Sequence, residues 1–183
     1  NQQSNDEVSE KMEKGYRLFT DGLRQAMPEK TFAPDANSTP RMTWGVVGSY
    51  DPQDAVHYDY ITTLDGVMQK EDPSNDEFIV PARLKELYNA KDYGRYADEN
   101  GDLVVNFISN NDITGGNSGS PVIDGEGNLM GLNFDRTWES TMSDYMFDAS
   151  RCRNITVDIR YVMWVMDIYS DAKHLVDEMT VVR

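Results

Sequence analysis

Apolar residues recur at three- and four-residue spacing between Asp6 and Met27. Val8, Met12, Tyr16, Phe19, Leu23 and Met27 share one face, and Ser9, Glu10 and the Lys and Arg positions fill the other. That spacing predicts an amphipathic helix. Pro28 ends it, and 30–40 reads as a loop rich in Pro, Asp, Asn, Ser and Thr. The pattern then changes type, which places a boundary near residue 38 and divides the chain into 1–37 and 38–183. Beyond it, Met42, Trp44 and Val46 alternate with Thr43 and Gly45, a strand signal, and Asp51–Asp54 reads as a turn. Val56–Thr63 is rich in β-branched and aromatic residues and predicts a strand. Pro81 opens a short helix over Ala82–Tyr88, with Leu84 and Leu87 inward. Tyr93–Asp102 reads as irregular and Leu103–Ser109 as a strand. Pro121–Asp124 and Leu129–Phe134 flank Gly125-Glu126-Gly127-Asn128, a β-hairpin. A strand at Ile155–Val157 leads into a helix burying Val162, Val165 and Met166, and Ala172–Met179 predicts a second helix. The fold class is mainly β with flanking helices, α+β.

Composition narrows the function. The 183 residues suffice for one ordinary domain or slightly more. With 39% hydrophobic and 27% charged residues the chain is of a folded kind. A net charge of −15 argues against nucleic acid and against an anionic membrane surface. No apolar run approaches the roughly 18–20 residues of a membrane span. The single cysteine, Cys152, allows no internal disulfide and no cysteine-based zinc site, and it reads as a lone thiol without a role. His57 and His174 are the only histidines, too few for a His-rich metal centre, so neither metal nor cofactor is expected. Asp98–Asp102 hints at a calcium loop but lacks the later bidentate Glu, and reads as an exposed turn. Tyr58, Tyr60, Tyr161 and Trp164 read as core rather than as a stacking platform. Residue 1 is Asn, so either something was removed or the chain is a piece of a longer one.

The sharpest feature is Thr114-Gly115-Gly116-Asn117-Ser118-Gly119-Ser120-Pro121-Val122. Small residues around Ser118 let the backbone turn tightly and let a substrate approach. Gly116 N–H can point at the same spot as Ser118 N–H, and two convergent amides make an oxyanion hole. The segment resembles the Gly-Asp-Ser-Gly-Gly-Pro run of chymotrypsin-like proteases, with Asn for Asp and Ser for the second Gly. The α/β-hydrolase elbow does not fit, because Ser120 occupies its last position. A serine nucleophile needs a base. His57 lies about 60 residues before Ser118, which leaves no room for two barrels between them, and His174 falls in a late helix. Both read as surface residues, so the chain holds a nucleophile but no credible base, which a truncated chain would explain.

Three stretches carry a more specific resemblance: Thr114–Val122, Gly131-Leu132-Asn133-Phe134-Asp135-Arg136-Thr137-Trp138-Glu139, and Arg153-Asn154-Ile155-Thr156-Val157-Asp158-Ile159-Arg160-Tyr161-Val162. Gly66–Pro73 and Phe78–Tyr88 add to it. Together they resemble the dipeptidyl-peptidase 7 and 11 family of bacterial serine exopeptidases. The resemblance implies a double β-barrel peptidase domain with a helical domain inserted. Residues 1–37 would then end the helical insert, and 38–183 would form the C-terminal barrel with its terminal helices. The catalytic His and Asp would come from the N-terminal part of the same chain. Ser118 matches the nucleophile. Asp135 matches an acid that holds the substrate's free amino terminus, and Arg136 matches the position that divides the family. Glycine there goes with hydrophobic or broad preference, and arginine resembles dipeptidyl-peptidase 11, which cleaves after Asp or Glu. A guanidinium fork suits a carboxylate bidentately, and Asn133 could also line the pocket. The implied partners are peptides with a free N-terminus and a second copy in a homodimer. The implied location is the periplasm or cell surface of a Gram-negative bacterium. The alternative reading is a non-catalytic β-rich peptide-binding module in which the Ser118 loop is only a turn.

Overall fold

The computed structural model describes residues 2–30, 32 and 37–182. The chain divides into two compact units, 1–35 and 36–183. The first is helix α1 (Gln2–Ala26), which spans the predicted amphipathic stretch. Much of the predicted 30–40 loop, at 31 and 33–36, lies outside the described residues.

The second unit opens with a two-stranded hairpin, β1 (Tyr50–Gln53) and β2 (Val56–Tyr58). β3 (Ile61–Thr63), β4 (Val104–Ser109), β5 (Pro121–Ile123), β6 (Leu129–Arg136) and β7 (Asn154–Asp158) follow. They form an antiparallel sheet in the order β3-β4-β7-β6-β5. Helices α2 (Leu64–Gln69), α3 (Ala82–Ala90), α4 (Ile159–Trp164), continued by a π turn, and α5 (Lys173–Asp177) pack at one end. Helix and antiparallel sheet thus combine as the sequence implied. No helix among the described residues is long and apolar enough to cross a membrane.

Several local expectations change. Residues 42–46 form no strand, and Met42, Trp44 and Val46 are exposed. The edges of β4 are already taken by β3 and β7, so this segment meets the sheet at the end of β4, through a Val47–Ser109 bridge. Asp51–Gln53 belongs to β1, and the turn sits at Asp54-Ala55. Pro52 is tolerated there because a two-stranded hairpin leaves one edge of each strand unpaired. Val56–Thr63 breaks at Asp59-Tyr60 into strands of different sheets, which leaves Tyr58 and Tyr60 exposed rather than in the core. In the penultimate helix the deepest residues are Met163 and Trp164, not Val162.

Trp164 is 0% exposed and centres the apolar core with Leu64, Leu84, Leu103, Val105 and Val176. Its ring stacks on Tyr161 and meets Tyr93 edge-on, and its indole N–H donates to Asp92 O at 2.9 Å. Tyr93 and Tyr96, from the stretch read as irregular, are also core. The inner face of the sheet changes character along its strands. On β4 it runs Val105, Phe107, Ser109, and on β7 it carries Asn154, Thr156 and Asp158, all three buried.

Candidate active site

The Ser118 loop joins β4 to β5. Gly116 and Gly119 have φ of 94° and 81°, a left-handed conformation that suits glycine. The loop closes on itself and on β6. Asn117 N–H donates to Thr114 O at 3.2 Å and Ser120 N–H to Asn117 O at 3.0 Å. Gly119 N–H donates to Asn133 O at 2.7 Å, and Asn133 N–H returns to Ser120 O at 2.9 Å. Among the described residues, the N–H groups of Gly116 and Ser118 have no acceptor. The loop therefore engages the amides of Asn117, Gly119 and Ser120 and leaves the two candidate oxyanion donors unused. Ser118 is exposed, and its Oγ donates to Phe134 O at 3.3 Å.

These bonds tie the serine loop to the strand that carries the other candidates. A bulge on β6 at Phe134 lets Asn133 face Thr156, Asp135 face Ile155 and Arg136 face Asn154. Residues directly opposed in an antiparallel pair share a face. Arg136 therefore joins Asn133, Asn154 and Thr156 on the inner polar face, while Asp135 points to the other. Without the bulge, strict alternation would put Asp135 with Asn133 and Arg136 opposite.

Asp135 is exposed, and its Oδ1 accepts from Arg136 N–H at 2.8 Å. The side chain of Arg136 is 22% exposed, and its guanidinium engages Asp144 rather than Asp135, with Nη1 to Oδ1 and Nη2 to Oδ2 both at 2.8 Å. Nη1 also donates to Ser143 Oγ at 2.7 Å. The Arg136 hydrogen bonds hold the Asp144 carboxyl below the usual range. Asp112 moves the other way: burial raises its carboxyl, against the Ile113 N–H bond and the Arg136 charge.

Beneath the loop lies a buried polar cluster. Ser109 Oγ donates to Asn111 Oδ1 at 2.6 Å, and Asn154 Nδ2 lies 3.3–3.5 Å from Thr156 Oγ1, Asn111 Oδ1 and Ser109 Oγ. Asn133 Oδ1 and Asn154 Oδ1 are buried without a partner. The histidines stand apart from this chemistry. His57 Nδ1 pairs with Asp51 Oδ1 at 2.7 Å on the exposed β1–β2 hairpin, and among the described residues no histidine is hydrogen-bonded to Ser118. Cys152 is a buried free thiol, and Asp98 accepts from Asn100 and Asp102 N–H within its own turn.

These features define an α+β chain built round a serine-bearing loop on an antiparallel sheet. The family model described as Peptidase S46 matches residues 1–181, and the chain belongs to that family. It is 56% identical over 168 residues to dipeptidyl-peptidase 7 of Phocaeicola vulgatus, covering 92% of this chain and 23% of that protein. It is 50% identical over 178 residues to the Asp/Glu-specific dipeptidyl-peptidase of Flavobacterium psychrophilum, covering 97% of this chain and 25% of that protein. Among solved structures it resembles Porphyromonas endodontalis DPP11 in complex with the dipeptide Arg-Asp. That match has a TM-score of 0.79 at 46% identity and covers 84% of this chain and 22% of that one. The chain thus spans about a quarter of the length of its relatives.

Sequence reading missed Ser143, Asp144 and Asp112. Nothing local marks them, since they meet Arg136 only through the fold. It also missed the role of Asn154 and Thr156, although their alternation with Ile155 and Val157 is a visible period-two signal.

Proposed function

We propose that the protein containing this chain is a serine-type dipeptidyl-peptidase, a hydrolase that removes N-terminal dipeptides with Asp or Glu second. Ser118 Oγ attacks the carbonyl after the second residue and passes its proton to a histidine base held by an aspartate, both from the N-terminal part of the same chain. Gly116 and Ser118 N–H receive the oxyanion. The proton then goes to the leaving amine, and water, activated by the same base, hydrolyses the acyl-enzyme on Ser118. Asp135 pairs with the substrate ammonium and so fixes the cut two residues from the chain end. Arg136 takes the acidic side chain.

The observation that carries the choice of substrate is Arg136. Relatives named dipeptidyl-peptidase 7 and relatives named Asp/Glu-specific dipeptidyl-peptidase resemble this chain at comparable identity, so overall likeness does not choose between them. The choice is supported by Arg136, a guanidinium able to grip a carboxylate bidentately, as it does Asp144 through two 2.8 Å bonds. Arg136→Gly should lower kcat/KM for Asp and Glu substrates by about 2–4 kcal/mol, the scale of a broken desolvated charge pair. Leu and Met substrates should change much less. Equal loss on both would make Arg136 structural. In the same proposal, residues 1–37 end a helical insert and 38–183 form the C-terminal barrel of a double β-barrel peptidase domain. The protein acts as a homodimer in the periplasm or at the cell surface of a Gram-negative bacterium.

A further inference from the structure

A guanidinium has five N–H donors in one plane, and two of its edges can each take a carboxylate side by side. In Arg136 the Nη1/Nη2 edge holds both oxygens of Asp144, and the second Nη1 proton goes to Ser143. The other edge, Nε–H with the outer Nη2–H, has no partner among the described residues. The Arg136 side chain keeps part of its surface exposed. Arg160 shows what that edge can do. It grips Asp158 through Nε and Nη2 at 2.9 and 2.8 Å. One molecule thus displays both grips, and Arg136 keeps in reserve the one Arg160 uses.

We propose that Asp144, with Ser143, is the positioning residue of the specificity arginine. It clamps the far edge of Arg136 so that the Nε–H/Nη2–H edge is already ordered for the substrate's acidic side chain. This rests on the reading of Arg136 given above. The contrary role, an internal carboxylate that competes with the substrate, would require Asp144 to hold the receiving edge, and it holds the other. Its negative charge does oppose a second carboxylate. The Asp144 side chain is 52% exposed, however, so water and salt weaken that repulsion. Ordering a long, freed side chain on binding has no such relief.

The test uses the full-length protein with acidic and aliphatic dipeptidyl substrates. Asp144→Ala should raise KM for Asp and Glu substrates about two- to tenfold, the cost of ordering one arginine side chain on binding. KM for the aliphatic substrate should change much less, and an unchanged urea midpoint reports an intact fold. Asp144→Asn keeps one acceptor without the charge and should give a smaller rise in the same direction. In an Arg136→Gly background, Asp144→Ala should add nothing. A fall in KM with either Asp144 variant means competition and overturns the proposal. So does a rise shared by acidic and aliphatic substrates, or an undiminished effect without Arg136. Failure of the underlying reading looks different: Arg136→Gly alone would then lower both substrate classes equally.

Discussion

Gly131 sits where β6 crosses β7, opposite Asp158, and its backbone leaves no room for a side chain. A Cβ built there would lie 2.2 Å from Val157 O and 2.6 Å from Thr156 Cγ2, where ordinary contact begins near 3.4 Å. Gly131→Ala must therefore push the two strands apart by about 1 Å, comparable to the overpacking that costs about 1–3 kcal/mol in a filled interior. One or two ladder hydrogen bonds stretch as well, at about 0.5–1.5 kcal/mol each. The reduced freedom of the unfolded chain returns about 0.4–1 kcal/mol. The net expectation is a loss of about 1–5 kcal/mol, read as a shifted urea midpoint at constant slope. Activity should suffer further, because Asn133, Asp135 and Arg136 follow on the same strand. A displacement of about 1 Å at a reacting constellation costs on the order of a hundredfold in rate. Gly66→Ala is the control. It lies inside α2 with no atom within 4 Å of its would-be Cβ, and should stabilise by about 0.5–1 kcal/mol. If Gly131→Ala keeps both its midpoint and its kcat/KM on an acidic substrate, the strand spacing is not set by this glycine and the argument fails.

Three further outcomes follow from the same geometry. Ser118→Ala in the full-length protein should lose several orders of magnitude in kcat with the fold intact, whereas His57→Ala should leave kcat unchanged; near-normal turnover in the first or its loss in the second would reassign the chemistry. Trp164→Ala should cost about 3–5 kcal/mol of stability, and Trp164→Phe, which keeps an aromatic ring but not the bond to Asp92 O, clearly less; equal losses in urea titrations would mean the ring contributes nothing. Asp112 titrates above its ordinary value of 3.8 when folded, so it holds its proton more tightly in the folded state. Its destabilising effect is absent below that value, grows as pH rises toward the folded pKa, and persists above it. Asp112→Asn should therefore gain stability over the parent through that window and keep the gain at neutral pH, and a difference flat from about pH 3 to 7 would contradict the linkage.

Local patterns exposed much of this architecture. The hairpin of β5 and β6, strand β4, and helices α3 and α4 stand where turn chemistry and periodicity place them, since those signals are contained in a few neighbouring residues. Residues 42–46 misled because alternation reports a willingness to pair, and both edges of β4, the strand this segment meets, are already taken. Tyr58 and Tyr60 misled because burial depends on what packs across, and the β1–β2 hairpin stands outside the main sheet. The loop around Ser118 was legible from its glycines. The facing of Asp135 and Arg136 was not, because the bulge at Phe134 reverses the phase of alternation and no residue type there announces it. β7 inverts a common expectation: Asn154, Thr156 and Asp158 are its buried phase, and Ile155 and Val157 are only half-buried.

The drift of the inner face from Val105 to Ser109 and Asn154 also sets how the sheet breathes. Opening costs most where apolar side chains must be wetted, around Trp164, and least where the interior is already polar and holds two carbonyl oxygens without donors. Amide exchange should then be slow at the Val104–Val105 end of β4 and quicken toward Ser109 and the strand ends beneath the Ser118 loop. The serine end of the sheet can open locally while the helical end stays folded. The same polar lining gives the Ser118 loop freedom to adjust without unfolding the domain.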